Sequence, residues 1–319
     1  MNITDVSSTK IGADAPIRLR CEMLTNPLEV EFATPHLSWQ GCAATCQTAY
    51  RIEVMDDTAG LHGEATLLWD SGLVNSKQST HVRYQGLTLV SRQRCKWRVK
   101  VWDQCLRQSD WSDWARWEMG LLLPGDWTAS WIGRDGVCAV DWRAQTLPAP
   151  FFRKSFVLPS KCLYARLYVC GLGFHEVYLN GHRVCDHVLS PAPTQFDRRA
   201  RYKVHDVTAM LRSGENTAGA VLGNGWYNPN TAEVWHFDKA PWRDYPKLLL
   251  QLEMTWPDGS RSMISSDETW RVGDGPIRFD ALRNGEHYDA RLTYPAWSET
   301  GFDDSRWHQV ARVPGLVVC

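Results

Sequence analysis

The sequence predicts an all-β chain built of two β-sandwich domains. Three observations lead there. Short segments of alternating apolar and polar residues recur between turn signals along the chain, the pattern of half-buried strands. No window of about a dozen residues holds a helical period with a cap at each end. Seventeen tryptophans among 319 residues call for deep sandwich cores or for flat platforms on which a ligand stacks, and both uses stay open at this stage. A chain of this length suits about two domains, each with its own core.

After a tail over residues 1–15, strands are expected at "HLSWQGC" (36–42), "AYRIEVMD" (49–56), "THVRYQG" (80–86), "CKWRVKVWD" (95–103) and "ARWEMGL" (115–121), which define a first sandwich over 16–121. In "CKWRVKVWD" the period of two puts Trp97, Val99 and Val101 on a core face and Lys96, Arg98 and Lys100 on the other. Pro124 and Gly125 break the pattern, and 122–147 is read as a connecting segment. The second sandwich, 148–319, opens with "PAPFFRKSFVL" (148–158) and continues through 164–173, 175–184, 200–208, 216–227, 247–256 and 269–275. Asn180-Gly181 between "EVYL" and "HRV" is the strongest short hairpin signal, because both residues tolerate positive φ, and Asp258-Gly259 repeats the device. "DVTAMLRSGEN" (206–216) is the one expected helical turn, too short to change the class. A jelly-roll type of sandwich is expected here.

Composition excludes several function classes. With 35 basic and 36 acidic residues the formal net charge is −1, so no basic field is available to hold a phosphate backbone and no nucleic-acid partner is expected. No apolar run forms a signal-peptide core or reaches the roughly 20 residues of a membrane span, so a cytoplasmic chain with no membrane partner is expected. The ten cysteines are scattered, which favours reduced thiols; Cys42 and Cys46 lack a second Cys or His pair at zinc spacing. The histidines show no metal-binding spacing, and "GLGFHEVYLNG" lacks the third glycine and the helix of a dinucleotide fold. No cofactor is indicated.

"SDWSDWARW" (109–117) resembles the tryptophan–serine box of cytokine receptors, in which tryptophans of a fibronectin type III domain stack between cations of a neighbouring strand. Trp111, Trp114 and Trp117 lie three apart, and Lys96, Arg98 and Lys100 offer the cations, each contact worth about 0.5–1 kcal/mol when exposed. Ala115 stands where the box has its second serine. A structural ladder on a fibronectin-like domain is the expected role, with a receptor-like or adhesive module as a distant alternative.

Five motifs in order, "GLGFHEVYLNGHRV", "VLSPAPTQFDRRARYKVHDVT", "LGNGWY", "NGEHYDAR" and "GFDDSRW", resemble the N-terminal region of the bacterial α-L-rhamnosidase family from about residue 16 onward. The resemblance implies a fibronectin type III-like sandwich followed by a carbohydrate-binding-module-like one. It also implies removal of terminal α-L-rhamnose with inversion, by two carboxylates of an (α/α)6 barrel. No barrel pattern and no catalytic stretch of that family are present in these residues, so a scaffold with a possible sugar-binding region is expected. A rhamnose-containing glycan or glycoside and a separate catalytic barrel are the expected partners, and a freestanding lectin-like protein is the alternative.

Two clusters carry candidate chemistry. "GNGWYNPN" (223–230) gathers Asn224, Trp226, Tyr227, Asn228 and Asn230, the mixture of aromatic faces and amides that a pyranose requires. By resemblance to rhamnose-binding modules, Asn180, Asn224 and the carbonyl of Pro229 could hold a calcium ion, with Asp186 or Asp238 adding charge. "NGEHYDARL" (284–292) places Glu286 and Asp289 three apart beside Arg291, but residues three apart on an extended segment point to opposite faces. They are expected to make charge-assisted hydrogen bonds to Arg291 or Arg283 and to fix a loop, and no catalytic residue is assigned.

Overall fold

The protein's computed structural model describes residues 14–41, 46–58, 66–136, 147–229, 231–232, 235–316 and 318; Cys42, Cys138, Asn230 and Cys319 lie outside them. The chain divides into two compact units, Met1–Leu123 and Pro124–Cys319.

The first unit is a sandwich of two antiparallel sheets. One has the order β1 (Ile17–Cys21), β2 (His36–Gln40), β5 (Val82–Arg83); the other runs β4 (Leu67–Asp70), β3 (Gln47–Asp56), β6 (Arg94–Asp103), β7 (Ala115–Glu118). This three-plus-four division is the fibronectin type III arrangement. The alternation expected of β6 is realised: Trp97 and Val99 are fully buried, Val101 nearly so, and they pack with Trp39, Ile52, Val54 and Trp117 in one core. The strand expected over 80–86 shrinks to two residues, because His81 takes a left-handed φ of 52° and the chain then turns tightly under Tyr84. Tyr84 donates its hydroxyl to the Leu87 carbonyl at 2.9 Å. A Cβ on Gly86 would lie 2.4 Å from the Tyr84 Oη and 2.5 Å from the Leu68 carbonyl oxygen, so this corner requires glycine.

The second unit is built on one antiparallel path of strands: β12 (His182–Arg183), β11 (Phe174–Leu179), β14 (Gly214–Gly223), β9 (Pro150–Leu158), β17 (Arg271–Asp274), β20 (His308–Arg312), β8 (Ile132–Arg134), β15 (Lys247–Thr255), β10 (Tyr164–Leu172) and β13 (Lys203–Asp206). β16 (Arg261–Ser265) adds to the free side of β15. The path folds on itself, so that Phe152, Leu179, Ala218 and Leu222 of one half meet Leu167, Val169, Leu250 and Leu252 of the other around Trp270. β8 corrects the expected connecting segment 122–147: Ile132 pairs with Leu248, Arg134 pairs with Val310, and the residues before them are pinned to the outer face of β15. The buried Gln251 does the pinning, accepting from the Thr128 N–H at 2.7 Å and donating to the Asp126 carbonyl at 3.0 Å. Three residues are too few to show an alternation, which is why β8 escapes a sequence reading.

Asn180 and Gly181 both take positive φ, 51° and 86°, and close β11 onto β12 as the dipeptide predicts. Asp258-Gly259 behaves differently. Gly259 alone has positive φ, its N–H bonds the Trp256 carbonyl, and Trp256 pairs with Ser260, so the turn is a three-residue loop entered through Pro257. The expected helical turn is a single 3-10 turn, Thr208–Met210, whose Thr208 N–H and hydroxyl donate to Asp206 Oδ1 at 3.0 and 2.6 Å. A separate two-stranded sheet, β18 (Ile277–Ala281) with β19 (Gly285–Tyr288), completes the unit.

Candidate functional site

The residues after β14 form a closed polar network. Gly225, at φ 53°, turns the chain against the Phe174 ring, where an added Cβ would stand at 3.1 Å. Asn224 is 5% exposed; its backbone N–H donates to Asp280 Oδ1 at 2.7 Å and its amide to Asp280 Oδ2 at 2.8 Å. The Asn224 amide oxygen accepts from the Asn228 amide at 2.7 Å, and Asn228 Oδ1 accepts from Arg243 Nε at 2.8 Å. A second Arg243 nitrogen donates to the Asp238 carbonyl at 2.8 Å. The amides of Asn224 and Asn228 are thus spent on the fold, and Asn230 lies outside the described residues.

The aromatic residues of "GNGWYNPN" also turn inward. Tyr227 is 2% exposed with its ring edge-on to Phe196 at 5.5 Å, and burial pushes its hydroxyl above the usual range. Trp226 is half-buried and edge-on to Phe237 at 5.7 Å. Asn180 lies elsewhere: it exchanges hydrogen bonds with the backbone of Thr217, near the start of β14, and its amide donates to Asn216 Oδ1 at 2.8 Å. Seven strand positions at ~3.3 Å each put it about 23 Å from Asn224. The calcium set Asn180, Asn224 and Pro229 is therefore not brought together. The expectation failed because the motifs lie at opposite ends of the same strand, a separation that sequence order does not reveal.

"NGEHYDARL" forms β19 and the 3-10 turn Ala290–Leu292. Asp289 caps that turn: Oδ1 accepts from the Arg291 N–H at 3.1 Å, and the guanidinium is held on both carboxylate oxygens at 2.9 and 2.7 Å. The Arg291 guanidinium holds the Asp289 carboxyl down to about 2. Glu286 is outside this clamp, exposed and directly opposite Asp280 in the β18–β19 ladder. Burial, with Glu286 adding to it, pushes the Asp280 carboxyl above the usual carboxylate range even though Asn224 donates to it. Arg283 stacks on Trp235 at 4.8 Å.

On the first unit the cation–aromatic ladder is present, with Trp102 in the place expected of Trp117. Lys96 lies 5.6 Å from Trp114, Arg98 lies between Trp114 at 4.6 Å and Trp111 at 4.4 Å, and Lys100 lies 4.7 Å from Trp111 and 5.4 Å from Trp102. Trp117 does not join: it is 1% exposed and packs on Tyr84 at 6.2 Å, because β7 has begun and its alternation points Trp117 inward. The hydroxyls of Ser112 and Ser109 accept from the N–H groups of Val99 at 3.1 Å and Val101 at 3.0 Å, along the edge that β7 does not reach. Ala115 pairs with Trp97 within the β6–β7 ladder, so no serine is needed there.

Sequence reasoning missed Asp280, Arg243 and Trp235, and Asp238, named there only as a possible source of charge for calcium, instead offers its backbone carbonyl to Arg243. One signal was available: Asn284-Gly285, the dipeptide that marked Asn180-Gly181, closes the turn of β18–β19 with Gly285 at φ 79°. Nothing local marks Asp280 as the residue that fastens a loop 56 positions away. His175 was noted only for lacking metal spacing. It is 6% exposed with Nδ1 unpartnered, and burial pushes it down to about 3; His205 nearby is pushed down to about 4.

Residues 16–123 match the family described as "Rha78A-like, N-terminal immunoglobulin domain", and residues 160–316 match "Alpha-L-rhamnosidase N-terminal domain". The chain belongs to the N-terminal region of the α-L-rhamnosidase family. An α-L-rhamnosidase of Formosa agariphila is 36% identical over 307 residues, which is 89% of this chain and 32% of that protein. One from Alteromonas sp. is 35% identical over 98% of this chain and 35% of its own length. The solved structure of the Dictyoglumus thermophilum α-L-rhamnosidase superposes with a TM-score of 0.83 at 33% identity, over 94% of this chain and 34% of that one. The chain therefore spans about a third of the length of these three rhamnosidases.

Proposed function

We propose that this chain is the non-catalytic N-terminal part of an α-L-rhamnosidase and acts as a scaffold for hydrolysis carried out by the remainder of the enzyme. The substrate would be a glycan or glycoside with terminal α-L-rhamnose. The observation that carries the reading is the coverage: identity of 35–36% runs along 89–98% of this chain and stops at about a third of each relative. The carboxylates argue the same way. Asp289 is spent on Arg291, Asp280 on Asn224, and Glu286 stands beside Asp280 on one hairpin. An inverting pair faces across a sugar with carboxyls about 6.5–9.5 Å apart, whereas directly opposed strand residues share one face of a ladder. No sugar site at Asn224, Tyr227 and Asn228 is part of the proposal, since their polar groups and ring close on the protein itself.

The test is a chimera in which this chain replaces the matching N-terminal third of the Alteromonas relative. Release of rhamnose from an aryl α-L-rhamnoside by the chimera, with none from this chain alone, is expected. Turnover by the isolated chain that disappears in Glu286→Gln would overturn the scaffold reading.

A further inference from the structure

The β18–β19 hairpin is an unfinished surface. It forms a sheet of two strands apart from the main path, and such a pair is marginal in water unless a third surface covers it. All four residues of β19 are exposed. The surface around it is rich in large side chains: Trp235 is 63% exposed, Tyr288 53%, Leu282 41% and Leu292 40%. Aromatic residues and arginine in one exposed patch are the composition of interface anchors, and scattered exposure would not group them on one hairpin and its neighbouring loop.

The patch is also held ready. Arg283 is stacked on Trp235, Phe279 on His287 at 5.0 Å, and the Tyr288 hydroxyl bonds Thr293 at 3.0 Å. Arg291 keeps 88% of its side chain exposed while two of its nitrogens are fixed by Asp289, so its outward face is aimed without further loss of rotamer freedom. Asp280 ties the whole hairpin to the sandwich through Asn224. Arg278, Arg283, Glu286 and Arg291 are all exposed on it, Arg291 in its pair with Asp289.

We propose that this face, centred on Trp235, Arg283, Tyr288 and Arg291, is the docking surface for the remaining two thirds of an α-L-rhamnosidase polypeptide. The inference rests on the reading of this chain as the scaffold part of such an enzyme. About two thirds of each relative lies beyond the matched region, which supplies an occupant large enough for an interdomain contact of roughly 600–1,500 Å². A glycan is the less suitable occupant, because Arg283 already covers one face of the Trp235 indole.

The chimera described above separates the possibilities. Trp235→Ala, Arg283→Ala and Tyr288→Ala are combined, and thermal unfolding is followed in the isolated 319-residue chain and in the chimera. Docking predicts that the triple variant lowers the melting of the catalytic part by about 5 °C or more, and the isolated chain by no more than the ~2–4 °C expected from losing its own Arg283–Trp235 and Tyr288–Thr293 contacts. Equal shifts in both proteins, or none in an active chimera, overturn the docking surface and leave the scaffold reading standing. A chimera inactive where the relative's own N-terminal third restores activity overturns both. Quenching of the isolated chain's tryptophan fluorescence by L-rhamnose, abolished by Trp235→Ala, would assign the patch to sugar and overturn docking.

Discussion

Asp280→Ala isolates the contact that fastens the hairpin to the sandwich. The carboxylate is the acceptor for the Asn224 backbone N–H at 2.7 Å and for its amide at 2.8 Å, and Asn224 is 5% exposed. Truncation leaves two buried donors without acceptors, at ~1–3 kcal/mol each. Part of that cost is offset, because the lost carboxylate is itself half-buried and held above its usual range by desolvation. The expected net is about 2–3 kcal/mol, and Asp280→Asn, which keeps one acceptor oxygen, should cost about half as much. Hydrogen exchange of the Asn224 amide reads the contact directly: 2–3 kcal/mol corresponds to a roughly 30- to 150-fold loss of protection, at about 1.4 kcal/mol per factor of ten. The Val99 and Val101 amides of the first unit serve as internal reference and should not change. If Asn224 in the alanine variant keeps its protection within about threefold, Asp280 does not hold the loop, and the account of the network is wrong.

Three further outcomes follow from the same geometry. Burial depresses His175 to about 3 and His205 to about 4, so below the ordinary histidine pKa the unfolded chain binds more protons than the folded one. Stability is then complete above about pH 6.5 and falls as pH drops toward 4, by up to ~1.4 kcal/mol per pH unit for His175; urea midpoints at pH 7.5 and 5 should show the loss, and His175→Gln should remove about half of it, leaving the part due to His205. Arg291→Ala should raise the Asp289 carboxyl from about 2 toward the usual aspartate value in a carbon-detected NMR titration, since the guanidinium is the main cause of the depression. Gly86→Ala should destabilise the first unit by ~1–3 kcal/mol in denaturant unfolding, because its Cβ would collide with the Leu68 carbonyl and the Tyr84 hydroxyl, and neither can withdraw freely.

The parts of the fold legible in the sequence are those where one residue's environment is set by its near neighbours. β6 reads correctly because a period of two over ten residues leaves one arrangement that buries Trp97, Val99 and Val101 together. The Asn180-Gly181 turn reads correctly because positive φ at two successive positions restricts the residue types. Asp258-Gly259 reads less well, since the preceding Pro257 changes the loop length, and the dipeptide alone does not carry that information. β8 is legible only after the fold is known, because its partners Leu248 and Val310 lie over a hundred residues away.

The candidate site failed to read for a related reason, and the failure bears on what the second sandwich does. Asn224, Tyr227 and Asn228 have the chemistry of a sugar site, yet amides and aromatic rings are also what a chain needs to bury an irregular loop with its polar groups satisfied. Composition does not separate the two uses; the direction of each donor does. Here those directions converge on Asp280, which lies in the hairpin carrying "NGEHYDARL". The two clusters that looked like separate sites are thus one mechanical unit: the loop after β14 grips β18 from behind, and the grip leaves β19, Arg291 and Trp235 facing outward. A loop that spends amides and an aromatic ring of this kind on holding a hairpin in place is organised around that hairpin.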